Sequence, residues 1–224
     1  MQIGLIIAIE REMKAFLANG RDITCRETHH RKVYSCRIGN HTVYAICSGC
    51  GEIDAAAATQ LLISEFCCDP ILNFGVAGAL EPGWKVEDLF IVSRACNHDF
   101  DTSPVDPVKK HQYVDFPDEF IPLDGTLLKM AKTVCPSLVE ATVASGERFV
   151  EEREDKIGLN RLGCQICDME IAAIARVSFL NGVRCLSVKC ISDTFEGDGG
   201  DFQTNVTKSA EKAFAVLVTI IENL

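Results

Sequence analysis

Cys167-Asp168-Met169-Glu170-Ile171-Ala172-Ala173-Ile174-Ala175-Arg176-Val177, a break at Asn181-Gly182, then Val183 to Ile191 closing on Ser192-Asp193, is the stretch whose reading decides the fold. Its first part predicts an Ala-rich helix with an acidic start. Its second part predicts a β-branched, apolar strand that stops at a carboxylate. Ligands of open α/β sheets sit just beyond the carboxyl ends of strands, and Glu170 and Asp193 are placed at such element ends. A single Asp or Glu is most simply a solvated surface group. These two have apolar neighbours, Met169, Ile171, Ala172 and Ala173 around one and Cys190-Ile191 before the other, and an acid in such surroundings needs a partner or a chemical task.

Outward from this stretch, strand and helix signals alternate. Ile3 to Ile9 is an apolar run that predicts a buried first strand, and Glu10-Arg11-Glu12-Met13-Lys14-Ala15-Phe16-Leu17 predicts a helix with acids in its first turn, where they complement the dipole. Capping alone accounts for Glu10 and Glu12; one of them can also face a crevice. Val33 to Ile38, a Gly39-Asn40 turn and Thr42 to Cys47 form a hairpin pattern. Ser48-Gly49-Cys50-Gly51 then leads into the helical run from Asp54 to Leu62. Strand, Gly-x-Gly, helix invites a dinucleotide-binding reading, but Asp54 stands where the third glycine belongs and would meet the pyrophosphate.

Pro70 to Phe74 predicts a strand running into Gly75-Val76-Ala77-Gly78-Ala79-Leu80, a small-residue segment suited either to close backbone approach to a ligand or to a tight turn. Asp88 to Ser93 predicts another strand. Cys96 to Phe120 carries three prolines and no period, and predicts a long functional loop or an arm against a partner. Leu127 to Val134 predicts a helix, Ala141 to Gly146 a strand and turn, and Phe149 a hydrophobic anchor or stacking platform. A last helix, capped by Asn205, carries an apolar stripe at Val206, Ala210, Ala213, Phe214, Leu217 and Ile221. The 224 residues are read as one α/β domain without repeats or linker.

Composition narrows the function. Lys plus Arg number 22 against 32 Asp plus Glu, a net charge of −10, which repels a nucleic-acid backbone. The apolar N-terminal run is too short to span a bilayer and lacks the flanks of a signal peptide, so the expectation is a cytoplasmic protein without membrane attachment. Twelve cysteines include two C-x-x-C pairs, Cys47/Cys50 and Cys164/Cys167. The long separation of the pairs is unlike a zinc knuckle. Most of the thiols sit in apolar runs as small hydrophobes, which suits a reducing compartment.

Six short pieces in order, the opening strand into Glu10-Arg11-Glu12, Ser48-Gly49-Cys50-Gly51, Gly75-Val76-Ala77-Gly78, Ser145-Gly146-Glu147-Arg148-Phe149-Val150, Asp168-Met169-Glu170 and Ile191-Ser192-Asp193, span nearly the whole chain. Through them it resembles the 5'-methylthioadenosine/S-adenosylhomocysteine nucleosidases of the purine nucleoside phosphorylase superfamily. The resemblance implies a three-layer α/β/α sandwich around a twisted, mostly parallel mixed sheet, hydrolysis of an N-glycosidic bond to release adenine, and no cofactor or metal. Asp193, held by Ser192, would protonate the departing base. Glu12 would activate water. Glu170 would accept hydrogen bonds from the ribose hydroxyls while Met169 packs on the sugar, and Phe149 would stack on adenine while the Val150 backbone reads its edge. The partner implied is a small purine nucleoside, and the long loop would complete the 5' pocket of a second copy in a homodimer.

Two positions depart from the family pattern. Val76 stands where Ser or Thr is common and Lys189 where Arg is common, both on the water side of the pocket, and a Lys lacks the planar fork of Arg. Rival readings are a nucleoside phosphorylase, disfavoured because Glu10 and Glu12 would repel phosphate, a nucleosidase for another 5'-modified purine nucleoside such as a futalosine derivative, and a non-catalytic nucleoside-binding homologue.

Overall fold

The computed structural model describes residues 1–224. In chain order the elements are β1 (Gln2–Ile7), α1 (Glu10–Asn19), β2 (Thr24–Thr28), β3 (Arg31–Ile38), β4 (His41–Cys47), α2 (Glu52–Phe66), β5 (Ile71–Ala79), β6 (Leu89–Asn97), β7 (Ile121–Pro122), α3 (Gly125–Val134), β8 (Val139–Ser145), α4 (Arg153–Arg161), β9 (Ile166–Asp168), α5 (Ile171–Leu180), β10 (Cys185–Asp193) and α6 (Gly199–Glu222).

The sheet is mixed. β4, β1, β5 and β10 run parallel as neighbours, and β3 and β2 extend the edge as antiparallel strands. Beyond β10 the sheet turns back through antiparallel β6 and then parallel β8 and β9, and β9 pairs with β5. The pairings therefore close into a ring of β5, β10, β6, β8 and β9. Ring closure brings the ends of β1, β5, β9 and β10 to one place. All nine residues of β10 are buried, as expected of a strand covered on both faces.

Helices cover the two faces, giving the expected α/β/α layers. On one side α2 contributes Ala55, Ala58 and Leu62, and α5 contributes Ile171 to Ala175. Their small residues let the helices lie close to each other and to the sheet. On the other side α1, α3 and α6 bury Phe16, Leu127 and Phe214. Phe214 makes ring contacts with Phe16 at 6.0 Å and Phe74 at 5.0 Å. Full burial of each such ring is worth roughly 1.5–3 kcal/mol. The apolar stripe read from sequence on the last helix is the buried face of α6.

Several local expectations differ from the structure. The last helix starts at Gly199, and Asp198, not Asn205, caps it by accepting from the Gly200 and Asp201 amides. Asn205 lies inside the helix and donates to the Ser192 carbonyl. Gly75 to Ala79 is the second half of β5 rather than a turn. Cys167 and Asp168 belong to β9, so α5 begins only after Glu170. The charged run after Glu152 forms α4 around one buried lysine, Lys156; its low apolar content leaves no helical period in the sequence.

Candidate active site

The second half of β5 organises the site. A Cβ on Gly75 would stand 2.6 Å from Glu12 Oε1, and one on Gly78 would stand 2.6 Å from Asp193 Oδ2 and 3.1 Å from Cys167 Sγ. The small residues of this strand are there because carboxylates from α1 and β10 pack directly onto its backbone. A cavity of about 200 Å³ opens at this point. Its walls include Ile9, Glu12, Val76, Phe149, Val150, Met169, Glu170 and Asp193. Seven of the nine residues singled out from sequence line it; Ser192 and Lys189 stand behind the wall.

Asp193 is aimed by a bulge. β10 and β5 keep step from Cys185 to Ile191, after which Asp193 pairs with Gly78 and Ser192 is the extra residue. The Ser192 hydroxyl donates to Asp193 Oδ1 at 2.7 Å. Asp193 is only 2% exposed. Burial raises its pKa, while the Ser192 hydrogen bond and the charge of Lys156 hold it down. Lys156 has no carboxylate partner of its own. Its ammonium donates to the Thr194, Phe195 and Gly197 carbonyls at 3.2, 3.2 and 2.8 Å, fastening the segment that follows Asp193. Sequence reasoning missed this residue because only folding brings α4 to that loop.

Glu12 occupies the third position of α1 and is 3% exposed. Its Oε1 accepts from the Val76 amide at 2.9 Å and its Oε2 from the Ile9 amide at 3.3 Å. The second contact is the capping bond read from sequence, and it leaves the carboxylate facing the cavity. Burial raises the Glu12 pKa against the opposing charge of Lys189 and the backbone donors. Val76 gives Glu12 its backbone N–H, a contact any side chain at this position would preserve.

Glu170 is buried at the start of α5 and accepts from the Gly51 amide at 3.1 Å and the Met169 amide at 3.3 Å. The Gly49 and Gly51 turn has positive φ at both glycines, the conformation that brings that amide to the carboxylate. Burial and the neighbouring Asp168 push Glu170 up to about 8, with Lys189 opposing. Asp168, passed over in the sequence, accepts from Ser145 Oγ at 2.5 Å and pairs with Lys189 Nζ at 2.7 Å. Lys189 was expected to line the water side of the pocket. It instead lies between acids: burial works to lower its pKa, but Asp168, Glu170 and Glu12 together hold it raised.

Phe149 is 41% exposed at the mouth and meets the Phe202 ring edge-on at 5.6 Å. Cys50 and Phe202 complete the apolar wall. Cys50 was read only as part of a turn, and Phe202, before the expected helix start, gave no signal. The arrangement offers a shielded acid that can hold a proton, a second carboxylate fixed by amides, and a third at the start of α5, all on the wall of one cavity. Such a set can protonate a leaving group while a water is deprotonated.

Comparison with known proteins agrees with this chemistry. The sequence pattern of the phosphorylase superfamily matches residues 2–222. A 5'-methylthioadenosine/S-adenosylhomocysteine nucleosidase of Shewanella loihica is 27% identical, with 100% of both chains covered. The crystal structure of the nucleosidase of that name from Helicobacter pylori, complexed with a pyrrolopyrimidine-bearing pyrrolidinol, superimposes with a TM-score of 0.92 at 27% identity, covering 100% of this chain and 99% of that one. The futalosine hydrolase of Helicobacter pylori strain 26695 also superimposes with a TM-score of 0.92, at 26% identity over 100% of this chain and 98% of that one.

Proposed function

The chain belongs to the phosphorylase superfamily, and on that premise we propose that it is a purine nucleosidase, hydrolysing the N-glycosidic bond of 5'-substituted adenosines such as methylthioadenosine and adenosylhomocysteine to release adenine. The observation that carries the reading is the pair of buried carboxylates seated on the glycines of one strand, Asp193 on Gly78 and Glu12 on Gly75. Asp193 delivers its proton to N7 of adenine as the bond between N9 and C1' breaks. Glu12 takes a proton from the water whose oxygen forms the new bond to C1'. Glu170 accepts from the ribose hydroxyls beside Met169, and Phe149 and the Val150 backbone hold the base. Ser192 positions Asp193, and Lys189 balances the charge of Glu12 and Glu170. No cofactor takes part.

Hydrolysis is favoured over phosphorolysis by charge. The nucleophile's side of the cavity carries Glu12 and Glu170, and the cation beside them, Lys189, is already paired with Asp168. A phosphate dianion there would lack the clustered donors it needs. The likeness to a futalosine hydrolase supports a second substrate, a futalosine-type nucleoside, at the same site. Release of free base from a panel of 5'-substituted purine nucleosides, followed with and without phosphate, tests the proposal; cleavage of none of them would leave a nucleoside-binding protein.

We further propose that the chain acts as one domain in a cytoplasmic homodimer. Val105 and Val114 of the 98–120 loop are 83% and 69% exposed, and a second copy covering them would complete the pocket for the 5' group. All twelve cysteines are free thiols, which suits a reducing compartment. No helix is long and apolar enough to cross a membrane.

A further inference from the structure

With the base end of the cavity given to Asp193 and Val150, the sugar to Glu170 and Met169, and the water to Glu12, the walls still unassigned include the uncharged Ile9, Cys50 and Phe202 and the cation Arg148. Ile9, Cys50 and Phe202 are left for the 5' substituent, beside whatever a second copy adds. A second cation, Arg11, stands against Phe202, outside the lining. The Arg11 guanidinium carbon lies 5.3 Å from the centre of the Phe202 ring, and its Nη1 donates to Gln203 Oε1 at 2.7 Å. Arg11 is also close enough to the Cys50 thiol to oppose the rise in its pKa that burial, Glu170 and Glu12 cause.

Arg11 is an unusual occupant of its position. It is the second residue of α1, and a cation in a helix's first turn opposes the dipole. Arg148, the arginine on the cavity lining, is engaged with Asp155 at 2.5 Å. The partners of Arg11 are one neutral amide and one ring face, so most of its five N–H donors remain available. This half-buried guanidinium has no carboxylate partner. A planar fork of that kind fits a carboxylate in bidentate fashion, and its stacking on Phe202 fixes where the fork points.

We infer that Arg11 is a specificity residue that binds a terminal carboxylate on the 5' substituent, so that adenosines whose 5'-thioether chain ends in a carboxylate are preferred over neutral ones of equal length. The neutral chain gains the same contacts with Ile9, Cys50 and Phe202; only the acidic one also gains the guanidinium. This assignment rests on the nucleosidase reading.

The test compares 5'-(3-carboxypropylthio)adenosine with 5'-butylthioadenosine, which match in length and differ in the end group. Wild-type protein is expected to show a higher kcat/KM for the acid, arising in KM, with a ratio that falls as salt is raised. Arg11→Met is expected to lower that ratio about tenfold, the scale of one charge-assisted hydrogen-bonded pair, and to abolish its salt dependence. Arg11→Lys, which keeps the charge without the fork, should restore part of the ratio at low salt. Equal loss on both substrates in Arg11→Met, or an unchanged ratio, would overturn the role of Arg11 while leaving the nucleosidase reading intact. Failure of wild-type protein to cleave either compound would overturn both.

Discussion

Lys189 Nζ lies 2.7 Å from Asp168 Oδ2, with side-chain exposures of only 2% and 1%. Asp168 lines the cavity with Lys189 behind it, and Lys189 is also the cation that opposes the raised pKa values of Glu12 and Glu170. A Lys at this point of β10 is therefore a charge anchor for three acids. Its compact ammonium serves that purpose without the planar fork of an Arg.

Removing the anchor should be costly. Lys189→Met leaves Asp168 buried without its ion-pair partner, and breaking a buried pair in this way destabilises by about 3–5 kcal/mol. Urea denaturation measures it; a loss below about 1 kcal/mol would mean that the pair is poorly coupled to folding.

Glu12→Gln keeps an oxygen able to accept from the Val76 amide, which Glu12 Oε1 does at 2.9 Å, and it removes the proposed base. Adenine should still bind, while turnover falls by at least about 10²-fold, the scale of general-base catalysis. Calorimetry for binding and a single-turnover assay for chemistry separate the two. Substantial turnover by this variant would remove Glu12 from water activation.

In the proposed mechanism Asp193 must be protonated to release the base, so activity is expected to decline on the alkaline side as it ionises. Burial moves that limb above the usual carboxylate range, and Lys156 holds it back. Asp193→Asn should abolish most turnover in a folded protein. Lys156→Met removes a positive charge and should shift the limb of kcat/KM to higher pH; a limb that stays put, with only kcat reduced, would reduce Lys156 to a fastener of the Thr194 to Gly197 segment.

Glu52 gives a pH dependence of stability distinct from catalysis. Its Oε2 accepts from Asn97 Nδ2 at 2.9 Å, its Oε1 is buried without a partner, and burial with Asp168, Glu147 and Glu170 pushes it up to about 9 from 4.5. Between those two values the folded state holds a proton that the unfolded chain releases, so stability falls as pH rises across the window. Glu52→Gln should flatten this fall. Thermal denaturation at pH 5, 7 and 9 checks it, and parallel curves for the two proteins would contradict the assignment.

How far the sequence anticipated all this follows from the range of the interactions involved. The alternation of strands and helices and the burial of β10 are local patterns, and they were legible in runs such as Cys185 to Ile191. The placement of Glu170 and Asp193 at element ends was legible for the same reason. The assignment of Glu12 to the same site came through family resemblance, since its contact with Val76 spans 64 residues. Gly75 and Gly78 were visible as small residues, but only the packed carboxylates explain them as strand rather than turn. Asp168 stood in a recognised piece without a role and Lys156 carried no signal, because the role of one depends on ring closure through β9 and that of the other on where α4 lands. Arg11 read as an ordinary helix residue until Phe202 was seen beneath it.

The central claim, hydrolysis at a buried pair of carboxylates, is tested most directly by incubating wild-type protein with methylthioadenosine in phosphate-free buffer, repeating with added phosphate, and identifying both products. The account predicts adenine and the free reducing sugar, methylthioribose, at the same rate in both conditions. Adenine release that requires phosphate, with the sugar appearing as its 1-phosphate, would contradict it.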